Sequence, residues 1–156
     1  MKYRHFAVLF VLLCVGCTAG GPQFVKPSEA PADQALVYLF RPAIHLGAMI
    51  VPHVYIDDVK VFQLPAGGYA DLKLQEGSHV IETRKSTNFL ASDAVGKAIV
   101  NVKAGEIHYI VWVPDTSFQT AVPPISVAEN KFTGNFLPLL EKHALPEIKK
   151  CRKIYP

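Results

Sequence analysis

The sequence offers few of the features that point to a catalytic centre, a metal site or a membrane span. It has three cysteines in 156 residues and no pair of Cys-x-x-Cys motifs of the kind that binds structural zinc. It also lacks a Gly-x-Ser-x-Gly elbow, a phosphate-binding glycine loop and a His-Glu-x-x-His helix. Its longest apolar run, residues 6–15, is about half of the roughly 20 residues that a membrane-spanning helix needs. We therefore expect no catalytic residues, no cofactor and no metal.

The excess of positive over negative charge is small, which argues against nucleic-acid binding. Lys and Arg number 16 against 13 Asp and Glu, which gives a formal net charge of +3. Lys2 and Arg4 lie in a segment that we expect to be removed, and their loss leaves a charge of about +1. Half of the residues are hydrophobic, which is typical of a single globular domain with a core of ordinary size.

The N-terminus has the pattern of a secretory signal peptide. Lys2 and Arg4 precede the apolar run of residues 6–15, so a charged region is followed by a hydrophobic region. Glycines and a proline follow this run and end any helix there. The segment is therefore predicted to direct export and not to span the membrane permanently.

The end of the apolar run resembles the bacterial lipobox, in which a small residue precedes a cysteine that receives diacylglycerol. The residues that carry the resemblance are Cys14-Val15-Gly16-Cys17. It implies that residues 1–16 are a lipoprotein signal peptide, that cleavage separates Gly16 from Cys17, and that Cys17 carries the lipid, palmitate included. The alternative is an ordinary signal peptide whose mature chain happens to start near a cysteine.

Lipidation of Cys17 would tether the protein to a bilayer. Two or three acyl chains hold a protein stably at a membrane, whereas one chain does so only marginally. By resemblance to enterobacterial sorting rules, Thr18 in place of Asp implies the outer membrane, with the domain facing the periplasm. The inner membrane and the cell surface remain alternative locations.

Cys151 would then have no partner within the chain. We expect either a small buried residue beneath the C-terminal segment or a disulfide to another protein. If Cys17 is not acylated, its thiol becomes free to pair with Cys151.

Composition divides the exported chain into three parts. Residues 17–34 contain Cys17 and then a stretch rich in Gly and Pro, which predicts a tether. Residues 35–128 carry short β-type runs separated by turns, and residues 129–156 are predicted to form a helical and basic C-terminal segment.

The β-type runs predict an all-β domain. We expect strands at 36–41, 51–64 (a hairpin), 69–75, 79–85, 97–103 and 106–113. This spacing indicates an antiparallel sandwich or a small barrel, and we favour the antiparallel β-sandwich. Residues 107–113 are apolar on both faces, with Tyr109 and Val111 on one and Ile110 and Trp112 on the other, as in a central strand.

The hairpin within residues 51–64 is predicted to turn at Asp57-Asp58. A two-residue turn places Ile56 opposite Val59 and Val54 opposite Val61 on one apolar face. The other face would then carry His53, Tyr55, Lys60 and Phe62.

The C-terminal segment is predicted to contain two short helices. Apolar residues recur at helical spacing over 135–144, where Pro138 fits the first turn. Pro146 would open a second helical turn over 147–155.

Several turn and strand motifs resemble a family of bacterial envelope lipoproteins known only as a domain of unknown function. They are Tyr38-Leu39-Phe40-Arg41-Pro42, Asp57-Asp58, Gly67-Gly68-Tyr69 and Glu76-Gly77-Ser78-His79. The last three also resemble PEGA domains. The resemblance implies a PEGA-like or prealbumin-like β-sandwich and a lipid anchor, but no reaction.

Two features are candidates for binding. Arg41 ends an apolar run, so its charge should meet Asp71 or Glu82, or else a ligand. A basic cluster near the chain end could contact anionic headgroups or an acidic envelope polymer, or be a solvated tail. The cluster consists of Lys149, Lys150, Arg152 and Lys153.

We expect the protein to be a membrane-anchored, non-catalytic binding or structural module of the periplasm. Its partners would be the bilayer, through acylated Cys17, and an envelope protein or a glycan. The alternative is an envelope hydrolase or metal-dependent enzyme in which His79 and His108 lie on neighbouring strands near Glu82 or Glu106.

Overall fold

The computed structural model describes residues 19–27, 29–43, 51–84, 96–117 and 131–155. Within these ranges the chain forms nine strands and one helix. The strands are β1 (Ala35–Arg41), β2 (His53–Ile56), β3 (Val59–Gln63), β4 (Gly68–Leu74), β5 (Gly77–Arg84), β6 (Gly96–Val102), β7 (Ile107–Ser117), β8 (Lys131–Leu139) and β9 (Arg152–Lys153). The helix, α1, spans Glu141–Ile148. No helix in these ranges has the length and apolar character needed to cross a bilayer.

The strands form two sheets, and the predicted all-β sandwich with a short C-terminal helix is confirmed. One sheet has the order β8-β7-β1-β4-β9, and the other has the order β3-β2-β5-β6. Most neighbours are antiparallel, but β1 pairs in parallel with β7 and β4 pairs in parallel with β9. Between β1 and β7 the chain forms β2 and β3 in the second sheet, β4 in the first, and β5 and β6 in the second again.

Strand β1 lies in the middle of the five-stranded sheet, and all seven of its residues are buried. Its nearly unbroken apolar sequence suits a strand that is covered on both faces. Alternate residues enter two separate cores. The core between the sheets contains Val37, Leu39, Val54, Leu64, Ile81 and Trp112. The core on the opposite face contains Phe24, Tyr38, Phe40, Tyr109, Ala144, Ile148 and Cys151.

The hairpin prediction is confirmed at its turn and wrong at one pair. Asp57 and Asp58 have φ values of 49° and 67°, as the two-residue turn requires, and Ile56 faces Val59. Val54, however, pairs with Phe62, because the register shifts between Val54 and Tyr55. The shift buries Phe62, which we had predicted on the outer face.

Both helix predictions for the C-terminal segment need correction. Residues 131–139 form β8, which pairs with nearly the whole length of β7 and supplies Phe136 to the core between the sheets. Pro138 is accommodated because β8 is an edge strand. The single helix α1 contains Pro146 and ends before Arg152–Lys153, which form β9 where a second helix was predicted.

The segment predicted to be a tether also differs from expectation. From Ala19 onward the chain packs on the domain, and we call residues 19–27 the N-terminal strap. Ala19, Gly21 and Phe24 are buried. Gln23 forms a β-bridge with Arg152, so the strap extends the five-stranded sheet beyond β9.

Replacing Gly134 by Ala should lower the free energy of unfolding by about 1–3 kcal/mol, because a Cβ there would overlap the indole ring of Trp112. Gly20→Ala is the matched control, since no atom lies within 4 Å of its added Cβ, and its effect should stay within about 0.5 kcal/mol. Urea unfolding followed by Trp112 fluorescence measures both. Equal stability of the two variants would contradict the close approach of β8 to Trp112.

Candidate functional site

The N-terminal strap is hydrogen-bonded to the C-terminal strand β9. The amide of Gly21 donates to the carbonyl of Lys153 at 3.1 Å, and the amide of Lys153 donates to the carbonyl of Pro22 at 2.8 Å. The guanidinium of Arg152 donates to the carbonyl of Gly21 at 3.4 Å. The two ends of the described chain are thus joined side by side.

Phe24 anchors the strap in a cluster of aromatic side chains. Its ring lies edge-on to Tyr38 and Tyr69, with centroid distances of 4.9 Å and 5.5 Å, and Tyr38 stacks on Tyr109 at 5.5 Å. Edge-on and offset pairs of this kind stabilise a core beyond the area they bury. Burial, together with the negative charge of Asp71, raises the pKa of Tyr38 to about 12. The cluster is therefore an uncharged apolar socket for Phe24.

The predicted basic cluster adjoins the strap contact, because Arg152 and Lys153 form β9 and Lys149 and Lys150 precede it in the chain. We call these four residues the basic edge. Lys149, Lys150 and Arg152 are exposed. Lys150 pairs with Glu147 at 2.9 Å, and Lys153 pairs with Asp71 at 2.7 Å. The hydrogen bond to Asp71 raises the pKa of Lys153, so this side chain stays charged.

Two open grooves flank the beginning of the strap at Ala19 and Gly20. The first, of about 650 Å³, runs towards β3 and is lined by Lys60, Phe62 and Lys153 among others. The second, of about 440 Å³, includes Lys150 and Arg152 in its lining. Among the described residues that line them, neither groove has an acidic one. Both grooves therefore favour negatively charged groups.

Cys151 is buried, as one of our two expectations stated. Its thiol lies 3.6 Å from the carbonyl oxygens of Arg41 and Glu147 and donates a weak hydrogen bond to them. Burial raises the pKa of the thiol to about 12. Since the thiolate is the reactive form, Cys151 is expected to be inert as long as the domain is folded.

Arg41 lies inside the fold, between the β3–β4 connection and β7. Its guanidinium donates to the carbonyl of Leu64 at 3.2 Å and lies over the ring of Trp112 at 4.6 Å, and burial lowers its pKa to about 10. The carboxylates that we expected to meet it have other partners. Asp71 binds Lys153, and Glu82 forms an ion pair with Arg84.

The two histidines of the enzyme hypothesis are not on neighbouring strands. His79 lies on β5 in the four-stranded sheet, whereas His108 lies on β7 in the five-stranded sheet and contacts Glu106. Within the parts of the chain that the structure describes, no three His, Cys, Asp or Glu side chains are grouped as metal ligands. The prediction that His79 and His108 lie on neighbouring strands is therefore wrong.

His79 instead supports the turn of the β2–β3 hairpin. Its Nδ1 lies 2.6 Å from a carboxylate oxygen of Asp57, whose other oxygen accepts the amide of Val80 at 2.8 Å. Its Nε2 lies 2.9 Å from the carbonyl of Gln75. The hydrogen bond between the two side chains raises the pKa of His79 and lowers the pKa of Asp57.

The strap and its aromatic socket were missed by the sequence analysis. Gly20, Gly21 and Pro22 matched a flexible linker, and local composition carries no information about a strand that pairs with the far end of the chain. Phe24 was the available signal, since a large aromatic side chain within a polar linker usually finds a place to be buried.

The comparisons with known proteins identify a family for this chain. Residues 31–123 match the family described as "Protein of unknown function (DUF2846)", and this match covers more than half of the chain. The chain belongs to this family, and the predicted membership in a family of unknown function is confirmed. Searches of the curated proteins and of the solved structures found no match.

Phe24→Ala should detach the strap and speed hydrogen exchange at the amides of Gly21 and Lys153, because the socket that holds the strap is emptied. The free energy of unfolding should fall by up to about 3 kcal/mol. Val25→Ala is the control, since Val25 is 81% exposed. Unchanged exchange at both amides in Phe24→Ala would contradict the role of the socket.

His79→Gln should lower stability more at about pH 5.5 than at about pH 8. The raised pKa of His79 means that its contribution is present below its ordinary value of 6.5 and is lost as pH rises through its folded value. Because the pKa of Asp57 is lowered, its contribution is fully present above its ordinary value of 3.8, and therefore at both of these pH values, and is lost only as the pH falls through the lower folded value. Because Asp57 is half exposed, the difference should be at most about 1 kcal/mol. Thermal unfolding at both pH values measures it, and a pH-independent difference would refute the pairing.

Proposed function

We propose that this protein is a lipid-anchored lipoprotein of the bacterial envelope. Residues 1–16 act as its signal peptide, cleavage separates Gly16 from Cys17, and Cys17 carries diacylglycerol and palmitate. The observation that carries the proposal is the lipobox-like Gly16-Cys17 directly after a charged and then apolar N-terminus. The domain behind the anchor faces the periplasm, and the outer membrane is its favoured location.

The anchored domain serves as a non-catalytic binding or structural module. This part of the proposal is supported by how its polar side chains are used. His79, His108 and Asp57 are engaged in turn and strand contacts, and they do not converge on a common cavity. The described residues that line the grooves at Ala19 include lysine and arginine but no acidic side chain that could act with a base in hydrolysis.

The domain also has exposed apolar side chains through which an envelope protein or a glycan can be bound. Val59 on β3 is 63% exposed and Ile99 on β6 is 66% exposed. These strands are the two edges of the four-stranded sheet, where a partner can add backbone hydrogen bonds to side-chain contacts.

Cys17→Ser should abolish acylation and leave the protein as an uncleaved precursor, because the serine hydroxyl cannot form the thioether to diacylglycerol. Mass spectrometry of the N-terminal peptide and partition into a detergent phase measure the result. Cys151→Ser is the matched control and should remain acylated at Cys17. A mature N-terminus downstream of Cys17, or a wild-type protein that leaves membranes without detergent, would overturn the proposal.

A further inference from the structure

We propose that the basic edge faces the membrane and binds the anionic phospholipid headgroups of the leaflet that holds the anchor. This inference rests on the proposed acylation of Cys17. It goes further by assigning the orientation of the domain and the class of lipid that it contacts.

The anchor can lie only a short distance from the folded domain. Gly21 is held by hydrogen bonds to β9, and Phe24 is held in the aromatic socket, so the strap is fixed from its beginning. Cys17 precedes Ala19 by two residues, and two extended residues span at most about 7 Å. The acyl chains must therefore enter the bilayer close to Ala19.

The surface that surrounds Ala19 carries basic side chains. The two grooves at this point are lined by Lys60 and Lys153 on one side and by Lys150 and Arg152 on the other. An acyl anchor beside Ala19 brings these groups within about one Debye length, roughly 8–10 Å, of the headgroups. The surface that the anchor presses against the bilayer is thus positively charged.

The positive charges of this surface are only partly neutralised by carboxylates. Two of its cations have carboxylate partners, since Lys150 pairs with Glu147 and Lys153 with Asp71. Arg152 contacts a backbone carbonyl, and no carboxylate in the described part of the chain pairs with it. Lys149 and Lys60 are exposed, and neither takes part in an ion pair among the described residues. The surplus of positive charge is the complement of an anionic headgroup layer.

The opposite end of the sandwich supplies matched control positions. Lys73 lies five residues along β4 from Gly68, the residue that pairs with Arg152, which places it about 17 Å away. Lys103 lies at the same far end, where the neighbouring Gly105 binds the carbonyl of Gln34. Both lysines are exposed and, within the described residues, form no ion pair. Their replacement changes the net charge equally but leaves the basic edge intact.

The test uses the acylated full-length protein in vesicles of phosphatidylcholine, with or without phosphatidylglycerol. A fluorophore is attached at Tyr155→Cys, beside the strap, or at Ser78→Cys, at the far end. Nitroxide-labelled headgroups then quench whichever label lies near the bilayer. The buried thiol of Cys151 should take up no label, and the parent protein without an added cysteine verifies this.

With phosphatidylglycerol present, the label at position 155 should be quenched and the label at position 78 should not. Lys149→Gln combined with Lys150→Gln should shift the balance away from this orientation by about 25-fold, since each of the two basic residues contributes about fivefold. Lys73→Gln combined with Lys103→Gln should leave the quenching unchanged.

Equal quenching at positions 155 and 78, or equal effects of the two charge pairs, would overturn the inference. The mass of the Cys17 peptide separates this failure from that of the proposed function. If Cys17 is acylated and the label at position 155 is not quenched, only the orientation is wrong. If Cys17 is not acylated, both proposals fall.

Discussion

The burial of β1 on both faces is the constraint on which the rest of the architecture depends. A strand that carries apolar side chains on both faces needs a covering layer on each side. The four-stranded sheet covers only one face of β1. The second layer is assembled from the helix α1, Cys151 and Phe24, which come from the two ends of the described chain. The strap is therefore part of the core, and its docking follows from the need to cover Tyr38 and Phe40.

This constraint changes how an anchor at Cys17 would act. A flexible tether lets a domain sample many heights and orientations above a membrane, whereas a docked strap fixes one edge of the domain beside the attachment point. The edge fixed in this way is the one that carries Lys150 and Arg152. Anchoring and headgroup binding would then reinforce each other, because an acyl chain holds the basic groups at a short distance from the lipid surface.

Local patterns in the sequence were sufficient for most of the sandwich and insufficient wherever distant segments meet. The alternation in residues 53–56 and the apolar faces of residues 107–113 placed β2 and β7 correctly. Residues 135–139 satisfied a helical period, yet they form β8, because β7 requires a partner along its edge and this tertiary requirement overrides local spacing. The register shift at Val54 and the pairing of Gln23 with Arg152 depend likewise on neighbours that no local window contains.

The resemblance to the family predicted the fold correctly because the shared motifs mark turns. His79 of one such motif indeed binds Asp57 of another. This contact gives the two motifs a structural role.

The height of the domain above the bilayer tests the central claim most directly, and neutron reflectometry of the acylated protein on a supported bilayer measures it. The docked strap predicts that protein density begins at the headgroups, with no intervening layer of water. A free linker spanning residues 18–34 would instead hold the domain about 20–25 Å away. A water layer of that thickness would contradict the account.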